Sequence, residues 1–253
     1  MAVFCLVVSA CNRDKDAPTG AARKELLVYC GITMIKPMSE IAAIMEAEEA
    51  CKITITKGGS GNLLKAIAVN QVGDLYLPGS ESYINTGLKE GWIIDSVAVG
   101  HNKAALMVQK GNPRQIPEDL LSLTNPHYYV VIGDADSGSI GRETKRILER
   151  REVYAAVMAN ARHLTTDSKD LIRALREKKA DLVINWYATA TWLENKAYVT
   201  AIPIDGRYAT PKKLVLGLLK TTRYPEIAKR FMAYAASDAG RAIFRKHGLY
   251  HEQ

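Results

Sequence analysis

The chain has 253 residues, a formal net charge of +7, 47% hydrophobic and 24% charged residues. That length admits two lobes of ordinary domain size, and the composition excludes intrinsic disorder. The basic residues are scattered, with no Lys/Arg run interleaved with aromatics, so nothing here reads as a nucleic-acid surface. The densest basic stretch, Lys145, Arg146, Arg150 and Arg151, is interspersed with Glu143, Glu149 and Glu152 and reads as a solvated helix face.

Residues 1–10 are almost entirely apolar or small and run Val7-Val8-Ser9-Ala10 into Cys11, ahead of a polar stretch over 12–22. An apolar core, small residues and then a cysteine resemble a bacterial lipobox, although no positively charged segment precedes the core. This predicts a lipoprotein signal segment over 1–11, a diacylated Cys11 and a flexible tether over 12–24. The body is then expected outside the cytoplasmic membrane, held by its lipid alone, because no later stretch is long and apolar enough to span a bilayer. Cys30 ends one predicted strand and Cys51 precedes the next, at opposite ends of a parallel pair, so both are read as free thiols. The five histidines occur singly and no Cys/His spacing suits a metal.

From residue 26 onward strands alternate with helices. Strands are predicted over 26–30, 53–56 and 74–77, with apolar helix faces at Met38, Ile41, Ala42 and Met45, over 62–70, and at Tyr83, Ile84 and Leu88. Such a β-α-β-α-β-α opening implies a parallel sheet with crossover helices, and ligands of such sheets sit at the carboxyl ends of the strands. A strand over 104–109 leads into the Gly111-Asn112-Pro113 turn and a second series: strand 128–132, helices 141–150 and 153–161, helix 170–178, and strands 181–185, 199–204 and 214–219. The end reads as helix 225–236, a Ser237-Asp238 cap and helix 239–247, with Gly248 as the stop.

The most informative stretch is Gly58-Gly59-Ser60-Gly61-Asn62, between a β-branched run and an apolar helical pattern. It predicts a tight turn with Ser60 as the helix N-cap, aiming unpaired N–H groups and the positive end of a helix dipole at one point where an anion can sit. Asp134 and Asp136 read as a turn rather than a catalytic pair, since no third carboxylate accompanies them. Lys36 and Arg142 read as surface charges near these turns. No Ser/His/Asp order, metal set or phosphate loop with its lysine is present, so the chain does not read as an enzyme and no cofactor is expected.

Several segments in this order resemble the periplasmic solute-binding proteins of ABC importers, the molybdate-binding family in particular. They are Leu27-Val28-Tyr29-Cys30-Gly31-Ile32-Thr33 with Glu40-Ile41-Ala42; Gly59-Ser60-Gly61-Asn62-Leu63 through Gly73-Asp74-Leu75-Tyr76; residues 102–109; Gly133-Asp134-Ala135-Asp136 through Gly141, Arg142 and Lys145; and Ala242-Ile243-Phe244-Arg245-Lys246-His247-Gly248. The resemblance spans about 25–250. It implies an α/β, type II periplasmic-binding-protein fold of two lobes, each a mainly parallel sheet flanked by helices, joined by two crossing hinge strands. Lobe 1 would comprise 25–103 and 201–253, and lobe 2 would comprise 104–200. It also implies where the ligand is held: the hydroxyls of Thr33 and Ser60, with Gly59 beside the latter, the backbone N–H groups at Ile140 (Ser139 adjoining) and Ser168, and an aromatic at Trp186. The family has a tyrosine at that last position; Trp offers one indole N–H and no hydroxyl, and Tyr187 is the neighbour that would substitute after a register change.

The resemblance further implies a monomeric binding protein that captures a tetrahedral oxyanion, molybdate or tungstate, between its lobes and delivers it to an ABC permease and its ATPase. The alternatives are a different small ligand, or a ligand-sensing domain for a membrane partner.

Overall fold

The computed structural model describes residues 23–249. The signal segment, Cys11, the tether up to residue 22 and residues 250–253 lie outside the described residues. The first half of lobe 1 runs β1 (Glu25–Gly31), α1 (Ile35–Glu49), β2 (Lys52–Gly58), α2 (Ser60–Asn70), β3 (Leu75–Leu77), α3 (Glu81–Lys89) and β4 (Ile93–Asn102). Lobe 2 follows as β5 (Ala104–Gln109), β6 (Val130–Gly133), α4 (Ser139–Arg150), α5 (Tyr154–Asn160), β7 (Ala161–Thr165), α6 (Ser168–Arg176), β8 (Leu182–Trp186), α7 (Ala188–Thr191) and β9 (Val199–Pro203). The chain returns to lobe 1 as β10 (Lys212–Leu219), α8 (Pro225–Ala236) and α9 (Asp238–Lys246).

The described residues form two five-stranded sheets, ordered β2-β1-β3-β10-β4 and β7-β6-β8-β5-β9. In each, three strands are parallel and the hinge-side strands join antiparallel: β10 against β3 and β4, β5 against β8 and β9. This is the two-lobe α/β architecture expected. The return crossing lies later than the 200/201 division: β9 pairs along its length with β5, and the chain rejoins the first sheet only at Lys212. Residue 200 therefore falls inside a lobe-2 strand.

The strand period of two explains the first lobe's double core. From β1, Leu26, Val28 and Cys30 enter one layer with Met38, Ile41 and Met45 of α1 and with Phe231 and Phe244 of the C-terminal helices. Tyr29 faces the other layer, with Leu63, Leu64 and Ile67 of α2 and Tyr83 and Ile84 of α3. In lobe 2, the buried faces of β5, β6 and β8 pack against Ile147 and Leu148 of α4 and Leu171 and Leu175 of α6. Cys30 and Cys51 are buried free thiols, and burial pushes the Cys30 thiol far above its ordinary pKa, so neither thiol is poised as a nucleophile.

Two strands carry no clear signature in the sequence, β4 and β7, and both are sheet edges. Among the described residues no helix is long and apolar enough to cross a membrane, and no group of three His, Cys, Asp or Glu is placed to hold a metal ion.

Candidate functional site

The carboxyl ends of β1, β2, β6 and β7 meet between the lobes. Their turns enclose a cavity of about 10 Å³ lined by Gly31, Ile32, Thr33, Gly58, Gly59, Ser60, Gly138, Ser139, Ile140, Asp167 and Ser168. Of the residues the sequence singled out, Thr33, Gly59, Ser60, Ser139, Ile140 and Ser168 come together here, drawn from both lobes.

Helix starts build this cavity. Ser60, Ser139 and Ser168 are each the first residue of a helix, behind Gly59, Gly138 and Asp167 as N-caps. Ser60 is thus not the cap that the sequence suggests: the glycine takes the extended cap conformation, and the serine lines the cavity as the first helical residue. The first N–H groups of a helix have no intrahelical acceptor, and here each helix treats them differently. On α2, Gly61 and Asn62 donate to the Ser137 carbonyl of the opposite lobe, at 3.0 and 3.2 Å. On α6, the Asp167 carboxylate accepts from Lys169 and Asp170, at 2.7 and 3.1 Å, leaving the Ser168 N–H. The start of α4 has no side-chain cap, so Ser139 and Ile140 present theirs.

The hydroxyls are buried and held from behind. Thr33, Ser60, Ser139 and Ser168 are 2%, 2%, 7% and 4% exposed, and all four line the cavity. The Ser60 carbonyl accepts from the Tyr76 hydroxyl at 2.7 Å, and its Oγ accepts from the Gly79 N–H at 3.1 Å. Asn185, fully buried, donates to the Ser168 carbonyl at 2.9 Å and fixes that peptide. Asn102, the last residue of β4, donates through Nδ2 to Thr33 Oγ1 at 3.3 Å. Trp186 is 1% exposed and does not line the cavity; its indole N–H donates to Ser139 Oγ at 3.2 Å. Tyr187 points elsewhere altogether. It is 43% exposed and lines a separate, mostly apolar cavity of 620 Å³ behind the hinge, with Lys103, Pro203, Arg245 and Leu249. The register change that would bring it to the cleft is absent, because β8 pairs Trp186 with Ala104 and the Tyr187 N–H is bonded to the Lys103 carbonyl at 2.7 Å.

The lobes are in contact around the cavity. A Cβ on Gly59 would meet the Ser137 and Thr166 carbonyl oxygens at 2.5 and 2.7 Å, so this approach requires glycine. Arg142 lies over the Tyr83 ring at 3.9 Å and donates to Ser82 Oγ, so it spans the cleft instead of extending into solvent. Lys36 pairs with Glu194 at 2.8 Å across the lobes, near the surface. Deeper, Glu143 of α4 and Lys212 of β10 form a buried ion pair at 3.4 Å; burial raises the Glu143 pKa, and Lys212 counters part of that rise. Asp134 turns into its own loop, accepting from the Ser137 hydroxyl and the Asp136 N–H, which is the turn expected there.

No cationic side chain lines the cavity, and its one ionisable residue, Asp167, has a carboxylate oxygen committed to α6. The arrangement offers hydroxyl and amide donors to something small. Sequence reasoning missed Asn102, Asn185 and Asp167 as site residues. The last had a readable signal, an Asp heading Ser-Lys-Asp at a helix start.

Comparison with known proteins places the chain in a family. Residues 26–250 match the sequence profile of the bacterial extracellular solute-binding proteins. The chain is 23% identical over 230 residues to a putative binding protein of Haemophilus influenzae, covering 89% of this chain and 90% of that one. It is 21% identical over 258 residues to the molybdate-binding protein ModA of Mycobacterium tuberculosis, covering 98% and 94%. The solved structure of the periplasmic molybdate-binding protein of Azotobacter vinelandii superposes with a TM-score of 0.75 at 16% identity, covering 90% of this chain and 100% of the other, a likeness of fold. The family is one of binding proteins rather than enzymes, and the chain belongs to it: it is a bacterial extracellular solute-binding protein.

Proposed function

We propose that the chain captures a tetrahedral oxyanion, molybdate or tungstate, between its lobes and presents it to an ABC permease and its ATPase, as a monomer tethered by a lipid on Cys11. The observation that carries this reading is the interlobe cavity itself: small, lined by four hydroxyl side chains and the uncapped N–H groups of helix starts, with no cation. A fully deprotonated oxyanion has acceptor oxygens only and matches such a lining. A hydrogen bond to a charged group contributes about 1.5–3 kcal/mol. A handful of them, after desolvation and closure, leaves about 8–10 kcal/mol, or micromolar to sub-micromolar affinity. Donors drawn from both lobes make the ion favour the closed form, and that difference is what a permease can read. The molybdate named in relatives of both comparisons supports the choice of ion.

Asp167 favours a second reading, a protonated oxyanion such as hydrogen phosphate, which needs one acceptor. Against it stands the use of that carboxylate as the α6 cap. Titration calorimetry with molybdate, tungstate, sulfate and phosphate separates the two. The first reading expects heat with molybdate and tungstate and little with phosphate; heat with phosphate alone supports the second; no heat with any of the four sinks both.

A further inference from the structure

We infer, resting on the capture reading above, that Lys36 and Arg142 form two reciprocal clasps, each lobe laying one cation on an aromatic ring of the other, and that these clasps hold the closed form and so slow release of a captured anion. Control of release is thereby assigned to side chains outside the cavity lining.

The two clasps are built alike. Lys36 stands three residues after Thr33 and Arg142 three residues after Ser139, so each cation sits in the first turn of a helix just beyond a cavity-lining hydroxyl. Lys36 belongs to lobe 1; its ammonium lies over the Trp192 ring of lobe 2, 4.9 Å from the centroid, and pairs with Glu194 at 2.8 Å. Arg142 belongs to lobe 2; its guanidinium lies over the Tyr83 ring of lobe 1 at 3.9 Å and donates to Ser82 Oγ at 3.3 Å. The other cation–ring contacts among the described residues stay within lobe 2 and the return crossing. On lobe 1 the clasps use α1 and α3, which pack on opposite faces of its sheet, so they stand on two sides of the cavity.

The chemistry ties these contacts to the closed form. Among the described residues Arg142 has no carboxylate partner, and the ring and hydroxyl that compensate its partial burial both come from the opposite lobe. Opening the lobes trades both for water. A guanidinium is weakly hydrated and stacks well on an aromatic face, so the trade favours the ring. Tyr83 is buried, and a cation–ring contact strengthens as it is desolvated. Lys36 and Glu194 lie nearer the surface, which makes theirs the weaker clasp. A contact made only in the closed form raises the closed population with or without an anion. An anion leaves through the open form, so the clasps act on release more than on capture.

The test is stopped-flow kinetics with molybdate at about 0.15 M salt, where exposed charges more than about 8 Å apart are largely screened, together with small-angle X-ray scattering of the ligand-free protein. Arg142→Gln is expected to raise the release rate about tenfold and Lys36→Gln about threefold, with association changed by less than about twofold. Arg142→Lys keeps a charge for the ring and should recover part of the loss. Adding Tyr83→Leu to Arg142→Gln should change release little further, whereas adding Lys36→Gln should multiply the two effects. Without ligand, that Lys36→Gln, Arg142→Gln protein should show a larger radius of gyration than the wild type. Release unmoved by either charge removal, or association slowed with release unmoved, overturns the inference and leaves the oxyanion reading intact. A wild type that binds no tetrahedral oxyanion overturns that reading, and the scattering then decides the clasps: equal radii overturn them. Should Tyr83→Leu unfold lobe 1, the cycle of Lys36→Gln with Trp192→Leu carries the same decision, and multiplied effects within it overturn the inference.

Discussion

Helices α2 and α4 begin alike, each with a glycine cap followed by a serine, and meet where the lobes close, yet they use their first N–H groups for different ends. On α2, two of these groups hold the Ser137 carbonyl of the opposite lobe, so this helix start makes the closed interface. On α4 the corresponding groups have no side-chain cap, and the proposed function assigns them to the ligand. Under the proposed function the same local chemistry supplies a latch on one side and a receptor on the other, and the division depends on which lobe's backbone arrives at which helix.

Four changes probe that division, from the largest expected effect to the smallest. Helix α4 has its own tie to lobe 1 through Glu143 and Lys212. Lys212→Met removes the buried partner of Glu143 and leaves it Arg146, 3.9 Å away and partly exposed, and is expected to cost about 3 kcal/mol of stability at neutral pH, read by denaturant melts. The Glu143 carboxyl is already raised by burial, so its protonation relieves the variant: the deficit should shrink as pH falls through that raised pKa, and a deficit independent of pH would contradict the pairing. Gly59→Val places side-chain atoms against the Ser137 and Thr166 carbonyls and blocks closure. Molybdate affinity should fall more than about a hundredfold, about 2.7 kcal/mol, with a melting temperature close to wild type, as expected of a surface made only by closure.

Ser60→Ala removes one donor on the latch side and should weaken molybdate by about 1.5–3 kcal/mol, close to the effect of Ser139→Ala on the receptor side. A much smaller loss at Ser60 would mean that α2 serves closure alone. The last change lies away from the cleft. Glu40 of α1 is held below the usual carboxylate range by His247 and then Lys246, which tie the end of the chain to lobe 1. A lowered acid contributes stability above its unfolded pKa and loses it as pH falls through the folded one. The pair is exposed, so Glu40→Gln should cost well under about 1 kcal/mol near neutrality, nothing at low pH, and leave binding unchanged.

Much of this architecture is written in local patterns. The alternation of apolar strands with helical faces placed the lobes, and the cavity-lining residues came from small, hydroxyl-bearing turns at strand ends. Two of the four edge strands escaped notice because exposure thins their pattern: β7 is Ala161-Arg-His-Leu-Thr165, with Arg162, His163 and Leu164 exposed, and β4 carries Ile94 and Asp95 in the same way. The supporting groups escaped for a different reason. Nothing near Asn102 in sequence signals that it meets Thr33, 69 residues away, and Trp186 reaches Ser139 across 47 residues. Proximity of that kind is created by the fold, and local periodicity carries no record of it. Tyr187 shows the converse. The sequence allowed it into the cleft, and the pairing of β8 with β5 turned it outward.

The most direct measurement of the central claim is anomalous diffraction at the molybdenum edge from crystals grown with molybdate. The account predicts one strong peak per chain, enclosed by Thr33, Ser60, Ser139, Ile140 and Ser168. A peak elsewhere, or none at saturating molybdate with the lobes closed, would contradict it.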